Sequence, residues 1–418
     1  MSGPGRAALL RGPLLTPVDA GRVEAFDDGF VRIGADGRIA AAGAWRADLD
    51  PGAAVVTAPG LLLPAFVDAH VHLPQLDVRA RYGMPLLDWL ERHVYPAEAA
   101  FADPALAERM AERFFSALAA AGTGTAGVFV TIHADAAGRA FEAAQARGLR
   151  AVIGKVLMDR GAPAALLEPA AEGIRETLAL AERWEGAAGG RLHVAVTPRF
   201  APACTGELLA AAGAAARDAG LRVQTHLAES TDELALVQRL FPEVADYLAV
   251  YERAGLSGER SVFAHAIHLD DAAFARLASA GAAIACCPSS NAFLGSGAFP
   301  RARARAPGVE IGLGSDVGAG PQLSVLDAAR HLAYLGRPVP AELLYRATLG
   351  GARALGLEET TGRLVPGLAA DVLVLEPPAD AEGDPLERFV QCVFRQPETR
   401  VRALLVDGAL VHGALATA

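Results

Sequence analysis

Two hydrophobic patterns alternate along the middle of this chain. One is the short, continuous apolar run that suits a strand buried on both faces; the other is an Ala-, Leu- and Glu-rich stretch that suits a helix. The apolar runs fall at 61–72, 123–131, 151–158, 192–200, 223–229, 261–269, 282–288 and 310–317. Helical stretches between them include 105–121, 172–184, 207–219 and 271–280, with Gly148 and Gly220 where C-terminal caps belong. Eight strand–helix units over about 300 residues predict an α/β fold with a (β/α)8 barrel at 60–364. A doubly wound sheet is the alternative, but no G-x-G-x-x-G follows the first strand.

The two ends of the chain read differently. Phe30-Val-Arg-Ile33, then Asp36-Gly37, then 38–42 predict a hairpin, because Asp-Gly suits a tight turn that needs positive φ. Residues 371–375 read as a buried strand, and 401–406 followed by Asp407-Gly408 as a second hairpin. Each end is too small to hold a core of its own. Together, 1–59 and 365–418 are expected to form one small β-sandwich domain with the barrel inserted between them.

Composition narrows the partners. A net charge of -10, spread without long runs of one sign, argues against nucleic acid and acidic membranes. The uncharged stretches 114–134 and 277–300 are interrupted, by Gly122-Thr-Gly-Thr125 in the first and by Pro288, Asn291 and several Ser and Gly in the second, so neither reads as a membrane span. Arg6, a short Ala-Ala-Leu-Leu run, Arg11 and Pro13 do not make a signal peptide. The four cysteines, Cys204, Cys286, Cys287 and Cys392, form no C-x-x-C pair and suggest no disulfide framework. A soluble, cytoplasmic protein is expected.

The chemistry-bearing residues cluster at the ends of the predicted strands, where a barrel places its active site. The first strand ends in His70-Val-His72, and residues two apart on a strand point the same way, so both imidazoles can face one ion. Gln75 follows. The fourth strand ends in Thr197-Pro-Arg199-Phe200, the fifth in His226-Leu-Ala-Glu229, the sixth in His265 and the eighth in Asp316. Singly, each has a bland explanation: a strand-end His bonds a loop carbonyl, an Asp caps the next helix, Arg199 is a surface charge and Phe200 is core. Jointly, four His and one Asp at the same end of one barrel suit a borderline-soft divalent ion such as zinc, with a position left for water.

These residues carry a resemblance. Pro64-Ala-Phe-Val-Asp-Ala-His-Val-His72 resembles the metal-dependent amidohydrolase superfamily. Within it, His70-Val-His-Leu-Pro-Gln75, Pro85-Leu-Leu-Asp-Trp-Leu90, Tyr95-Pro-Ala-Glu98, Thr197-Pro-Arg-Phe200, His226-Leu-Ala-Glu229, Ala264-His265 and Gly312-Leu-Gly-Ser-Asp316 are similar to the guanine deaminase family. So are the tail segments 347–356 and 362–367. The resemblance covers roughly 25–412. It implies one zinc per chain held by His70, His72, His226 and Asp316. It also implies catalysis by Glu229, His265 and Asp316, and a substrate pocket formed by Gln75, Arg199, Phe200, Glu229 and Asp316. The implied reaction hydrolyses guanine with water to xanthine and ammonia, in a homodimer. Acting on another amino-heterocycle (8-oxoguanine, a pterin, a triazine, an adenosine derivative) is the alternative.

Other readings are weaker. A two-metal carbamoyl-ring hydrolase would bridge its ions with a carboxylated lysine, but Lys155, the sole lysine, lies on the third strand. The His-x-Glu and Pro-Cys-x-x-Cys of another zinc deaminase class are missing. One departure stands out: the family pattern His-Cys-Pro-x-Ser-Asn reads Cys286-Cys287-Pro288-Ser289-Ser290-Asn291 here. Cys286 is not expected to bind the metal.

Overall fold

The computed structural model describes residues 8–49 and 55–415; Arg6 and the start of the N-terminal Ala-Ala-Leu-Leu run lie outside the described residues. Eight parallel strands form a barrel in chain order: Phe66–His72, Thr123–Phe129, Arg150–Gly154, Leu192–Pro198, Arg222–Leu227, Ser261–His265, Ala283–Cys286 and Glu310–Leu313. A short extension of the third strand, Val156–Leu157, pairs with Thr197 and Pro198. Beyond the end of the last strand, Asp316 N donates to His70 O at 3.0 Å and His72 N donates to Val317 O at 3.2 Å. These two bonds bring the first and last strands together at the end that carries the histidines.

Both chain ends meet in one mostly antiparallel sheet, in the order Ala409–Gly413, Arg400–Val406, Val372–Glu376, Leu61–Pro64, Ala8–Asp19, Arg22–Ile33 and Ile39–Ala44. Here the sequence reading needs a correction. The apolar run 61–72 is two strands rather than one. Leu61–Pro64 pairs with Val372–Leu375 in the terminal sheet, and Phe66–His72 enters the barrel after Ala65. A continuous apolar run shows that a segment is buried and not which sheet buries it.

The side chains of this sheet alternate. Leu62, Val372, Val374 and Leu405 pack into a core with Leu10, Leu14, Val31 and Ile33. Leu61, Leu63, Leu373, Leu375 and Leu404 point the other way, into the large core shared with the barrel and its helices. Period-two alternation thus buries both faces.

The helices fall near their expected places, at Pro104–Ala120, Ala170–Trp184, Gly206–Ala219 and Asp271–Ser279. Gly148 and Gly220 close two helices in the left-handed conformation, φ 78° and 64°. The stretch 114–134 resolves into the end of one helix, a turn at Gly122 and the second barrel strand. No helix among the described residues is long and apolar enough to cross a membrane.

The sheet and the barrel are also joined by charge. Arg150, at the start of the third barrel strand, pairs with Asp371 (3.3 Å) and Asp407 (2.9 Å), while Asp371 also accepts the Asp407 backbone N–H at 2.8 Å. Arg150 and Asp371 are both almost fully buried. Asp371→Ala leaves buried Arg150 with Asp407 alone and strips the acceptor from the Asp407 N–H, so it is expected to destabilise the fold by about 1–3 kcal/mol. The shift of the urea unfolding midpoint measures it.

Candidate active site

His70 and His72 do project to one side of the first strand end, with their rings 4.8 Å apart. They meet His226 from the fifth strand and Asp316 from the loop after the eighth. The Nε2 atoms of His72 and His226 lie 3.1 Å apart, and Asp316 Oδ1 lies 3.3 Å from His70 Nε2 and 3.4 Å from His72 Nε2. A tetrahedral ion with bonds of about 2.0–2.1 Å separates its donors by about 3.3–3.4 Å, so these edges match a metal shell. The protonation states fit as well. Burial lowers the pKa of all three histidines, and those of His72 and His226 fall well below the ordinary value. Neutral imidazole is the form that binds a metal.

The second contact of His226 settles its tautomer. Its Nδ1 lies 2.6 Å from the Arg199 carbonyl oxygen, which only accepts, so Nδ1 carries the proton and Nε2 turns its lone pair to the cluster. His70 Nε2 is buried and faces Asp316 Oδ1 at 3.3 Å. This donor set fits a resident divalent cation.

Asp316 is ionised. Burial opposes its charge, but His70, His265 and Ser290 hold its pKa down to about 2. Glu229 goes the other way: burial, Asp316 and Glu233 push its carboxyl well above the usual range. Two nearby carboxyl groups with opposite protonation are an acid and a base ready-made. His265 stands between them, with Nε2 3.4 Å from Glu229 Oε2 and 3.9 Å from Asp316 Oδ2. Its Nδ1 pairs with Asn291 Oδ1 at 2.9 Å. His265 and Asp316 both adopt positive φ, 70° and 48°, which non-glycine residues avoid unless the surroundings enforce it.

A pocket opens over this cluster, lined by His72, His226, His265, Glu229 and Asp316 together with Gln75, Arg199, Phe200, Leu86, Trp89, Leu90, Leu294 and Ala319. Every residue singled out at the strand ends therefore meets at one place. Arg199 is no surface charge. It is buried, and although burial opposes its charge, Glu98 and Tyr95 raise its pKa.

Cys286 and Cys287 separate by strand alternation. Cys286 packs with Ile284 in the core shared with the helices, whereas Ala283 and Ala285 face the barrel interior. Cys287 shares that inner side, and its sulfur lies within 4.8 Å of ligand atoms of His70, His265 and Asp316. Burial raises its thiol well above the ordinary value, which disfavours the thiolate a metal needs. The departure at 286 therefore falls on the side away from the pocket. Lys155 is buried against Glu168 (2.5 Å) and Glu176 (3.4 Å), with no place in the cluster.

The amidohydrolase family model matches residues 61–411. The chain belongs to the amidohydrolase family. Among curated members, guanine deaminase of Escherichia coli is 41% identical over 325 residues, 76% of this chain and 74% of that one. A probable guanine deaminase of Deinococcus radiodurans is 40% identical over 390 residues, 90% and 88% of the two chains. The solved E. coli guanine deaminase superposes with a TM-score of 0.92 at 34% identity, covering 97% of this chain and 99% of that one. Amidohydrolases are metal-dependent, in keeping with the donor cluster.

Several residues of this amidohydrolase were not marked by the sequence. Glu98, fully buried, reaches Arg199 Nη1 at 2.5 Å and accepts from Gln75 Nε2 at 3.2 Å. Asn291 orients His265. Trp89 lines the pocket with an indole N–H that has no protein partner. Tyr251 ties two strand ends together: its hydroxyl accepts from Ala201 N (2.9 Å) and donates to His226 O (2.8 Å), with Thr225 Oγ1 3.2 Å away. An acid within Tyr95-Pro-Ala-Glu98, flanked by apolar residues, was the only available hint of Glu98. Tyr251→Phe strips partners from a buried N–H and a carbonyl, so it is expected to cost about 1–3 kcal/mol of stability by thermal or urea unfolding.

Proposed function

We propose that this chain is a zinc-dependent guanine deaminase, converting guanine and water to xanthine and ammonia. The observation that carries the reading is a buried, donor-only Arg199 in the same pocket as the histidine–aspartate cluster and Glu229, whose carboxyl burial pushes well above the usual range. The names of the relatives point the same way.

His70, His72, His226 and Asp316 would hold the zinc. When bound, zinc supplies a water acidified from about 15.7 toward about 7, a nucleophile at neutral pH. Asp316, whose carboxyl is held low, would accept a proton from the attacking water. His265 orients it: with Nδ1–H donated to Asn291, its Nε2 is free to accept. A neutral purine is a poor electrophile, and the protonated Glu229 answers this by giving its proton to N3 as oxygen attacks C2. As the C2–N bond breaks, the ionised Glu229 takes the hydroxyl proton on C2, the proton held by Asp316 passes to the leaving amine, which departs as ammonia, and both carboxyl groups are back in their starting states.

Arg199 offers only donors and suits the O6 carbonyl of guanine, whereas adenine presents an amino group there. Gln75 meets another ring edge, and Phe200 offers its face to the flat base. A homodimer and a cytoplasmic location follow from the same resemblance, and the four buried free thiols suit a reducing compartment.

The decisive experiment pairs metal analysis with turnover on one sample, using adenine, 8-oxoguanine and cytosine as controls. One zinc per chain and stoichiometric xanthine and ammonia are expected. Zinc without guanine turnover would discard the substrate, and no metal even after zinc is added back would discard the chemistry. Glu229→Gln should keep its zinc and lose about 10²–10⁴ in kcat. Arg199→Ala should lose at least about tenfold of the preference for guanine over adenine, read as the ratio of kcat/KM values.

A further inference from the structure

Glu98 is a carboxylate with no solvent exposure, on the short helix Tyr95–Ala99. It stands behind the pocket wall, one step removed from the lining residues. Each of its oxygens holds one recognition residue: Oε2 lies 2.5 Å from Arg199 Nη1, and Oε1 accepts from Gln75 Nε2 at 3.2 Å. On the far side of the Gln75 amide, Gly318 N donates to Oε1 at 3.3 Å. A carboxylate only accepts and a backbone N–H only donates, so the two together allow one orientation of that amide.

The charge follows the same arrangement. A buried guanidinium without a counter-charge attracts an anion, and carboxylate or oxyanion ligands match its fork. Pairing with Glu98 cancels the charge while leaving further Arg199 N–H groups free to donate.

We propose that Glu98 is a positioning and specificity-determining residue: it makes the Arg199–Gln75 edge electrically neutral and fixes its donor order. The pocket then takes a neutral amino-oxo heterocycle in preference to an anionic oxopurine. The proposal rests on the guanine reading and extends it to product release. Deamination turns an amino-oxo purine into a more acidic dioxopurine, and a pocket without net positive charge on that edge does not retain the anion.

The test compares wild type, Glu98→Gln and Glu98→Asp as zinc-loaded holoenzymes. Guanine kinetics are measured together with competitive inhibition by hypoxanthine, neutral at pH 7.5, and urate, an anion at that pH. Glu98→Gln should raise KM for guanine about 10–100-fold with a smaller change in kcat and unchanged zinc content. Its inhibition should shift at least about tenfold from hypoxanthine toward urate. Glu98→Asp keeps the charge with a shorter reach, so KM rises while the inhibitor ratio stays near the wild-type value. A folded Glu98→Gln enzyme with wild-type KM and inhibitor ratio would overturn the proposal. So would a wild-type enzyme that already prefers urate, a result that needs no variant to fold. Failure of the wild type to convert guanine would instead count against the substrate reading.

Discussion

Everything at this site depends on three imidazole lone pairs and one carboxylate held within 3.1–3.4 Å of one another along the measured edges. Neutral nitrogens facing each other at such distances repel, and a divalent cation turns that repulsion into attraction. The fold has to supply the convergence beforehand. It does so with the stiffest device available, the ends of parallel strands, and adds fixed tautomers through main-chain carbonyls such as that of Arg199. The strain of positive φ at His265 and Asp316 is borne locally by a buried network of Asn291, Ser290 and the surrounding barrel.

The pocket then divides its charges. Beside the histidine–aspartate cluster, His70, His265 and Ser290 hold the Asp316 carboxyl down, while burial and neighbouring carboxylates push that of Glu229 up. On the recognition side, Arg199 and Glu98 cancel. The wall opposite the cluster thus presents a donor and acceptor pattern whose charges are paired. A site that rejects by unpaired hydrogen bonds discriminates more sharply than one that rejects by shape alone.

Much of this was legible in the sequence because it follows short-range rules. Period two brings His70 and His72 together, and barrel topology sends His226, His265 and Asp316 to the same end. What stayed hidden depends on contacts between distant segments. The break at Ala65 could not be seen, since apolar residues on both sides of it are equally buried. Glu98 and Asn291 act through partners 101 and 26 residues away, and no periodicity marks either. Arg199 is assigned to the pocket by resemblance, but its pairing with buried Glu98 has no mark in the sequence. The fate of Cys286 was likewise a question of strand phase: one residue of offset separates a helix-facing sulfur from one beside the ligands.

Closure of the barrel and assembly of the site are the same event. Asp68, two residues before His70, accepts from Ser315 N at 2.9 Å and pairs with Ser315 Oγ at 2.5 Å. One residue further, Asp316 N bonds His70 O. Gly314 is part of this seam, since a Cβ there would lie 2.9 Å from both Cys287 Sγ and His70 Cβ. Asp68 and Ser315, 247 residues apart along the chain, are thus stitched beside the histidine–aspartate cluster. A cation held jointly by His70, His72 and Asp316 would bridge this seam. Its binding energy would act on the closed barrel and not on the open chain, linking metal affinity to fold stability.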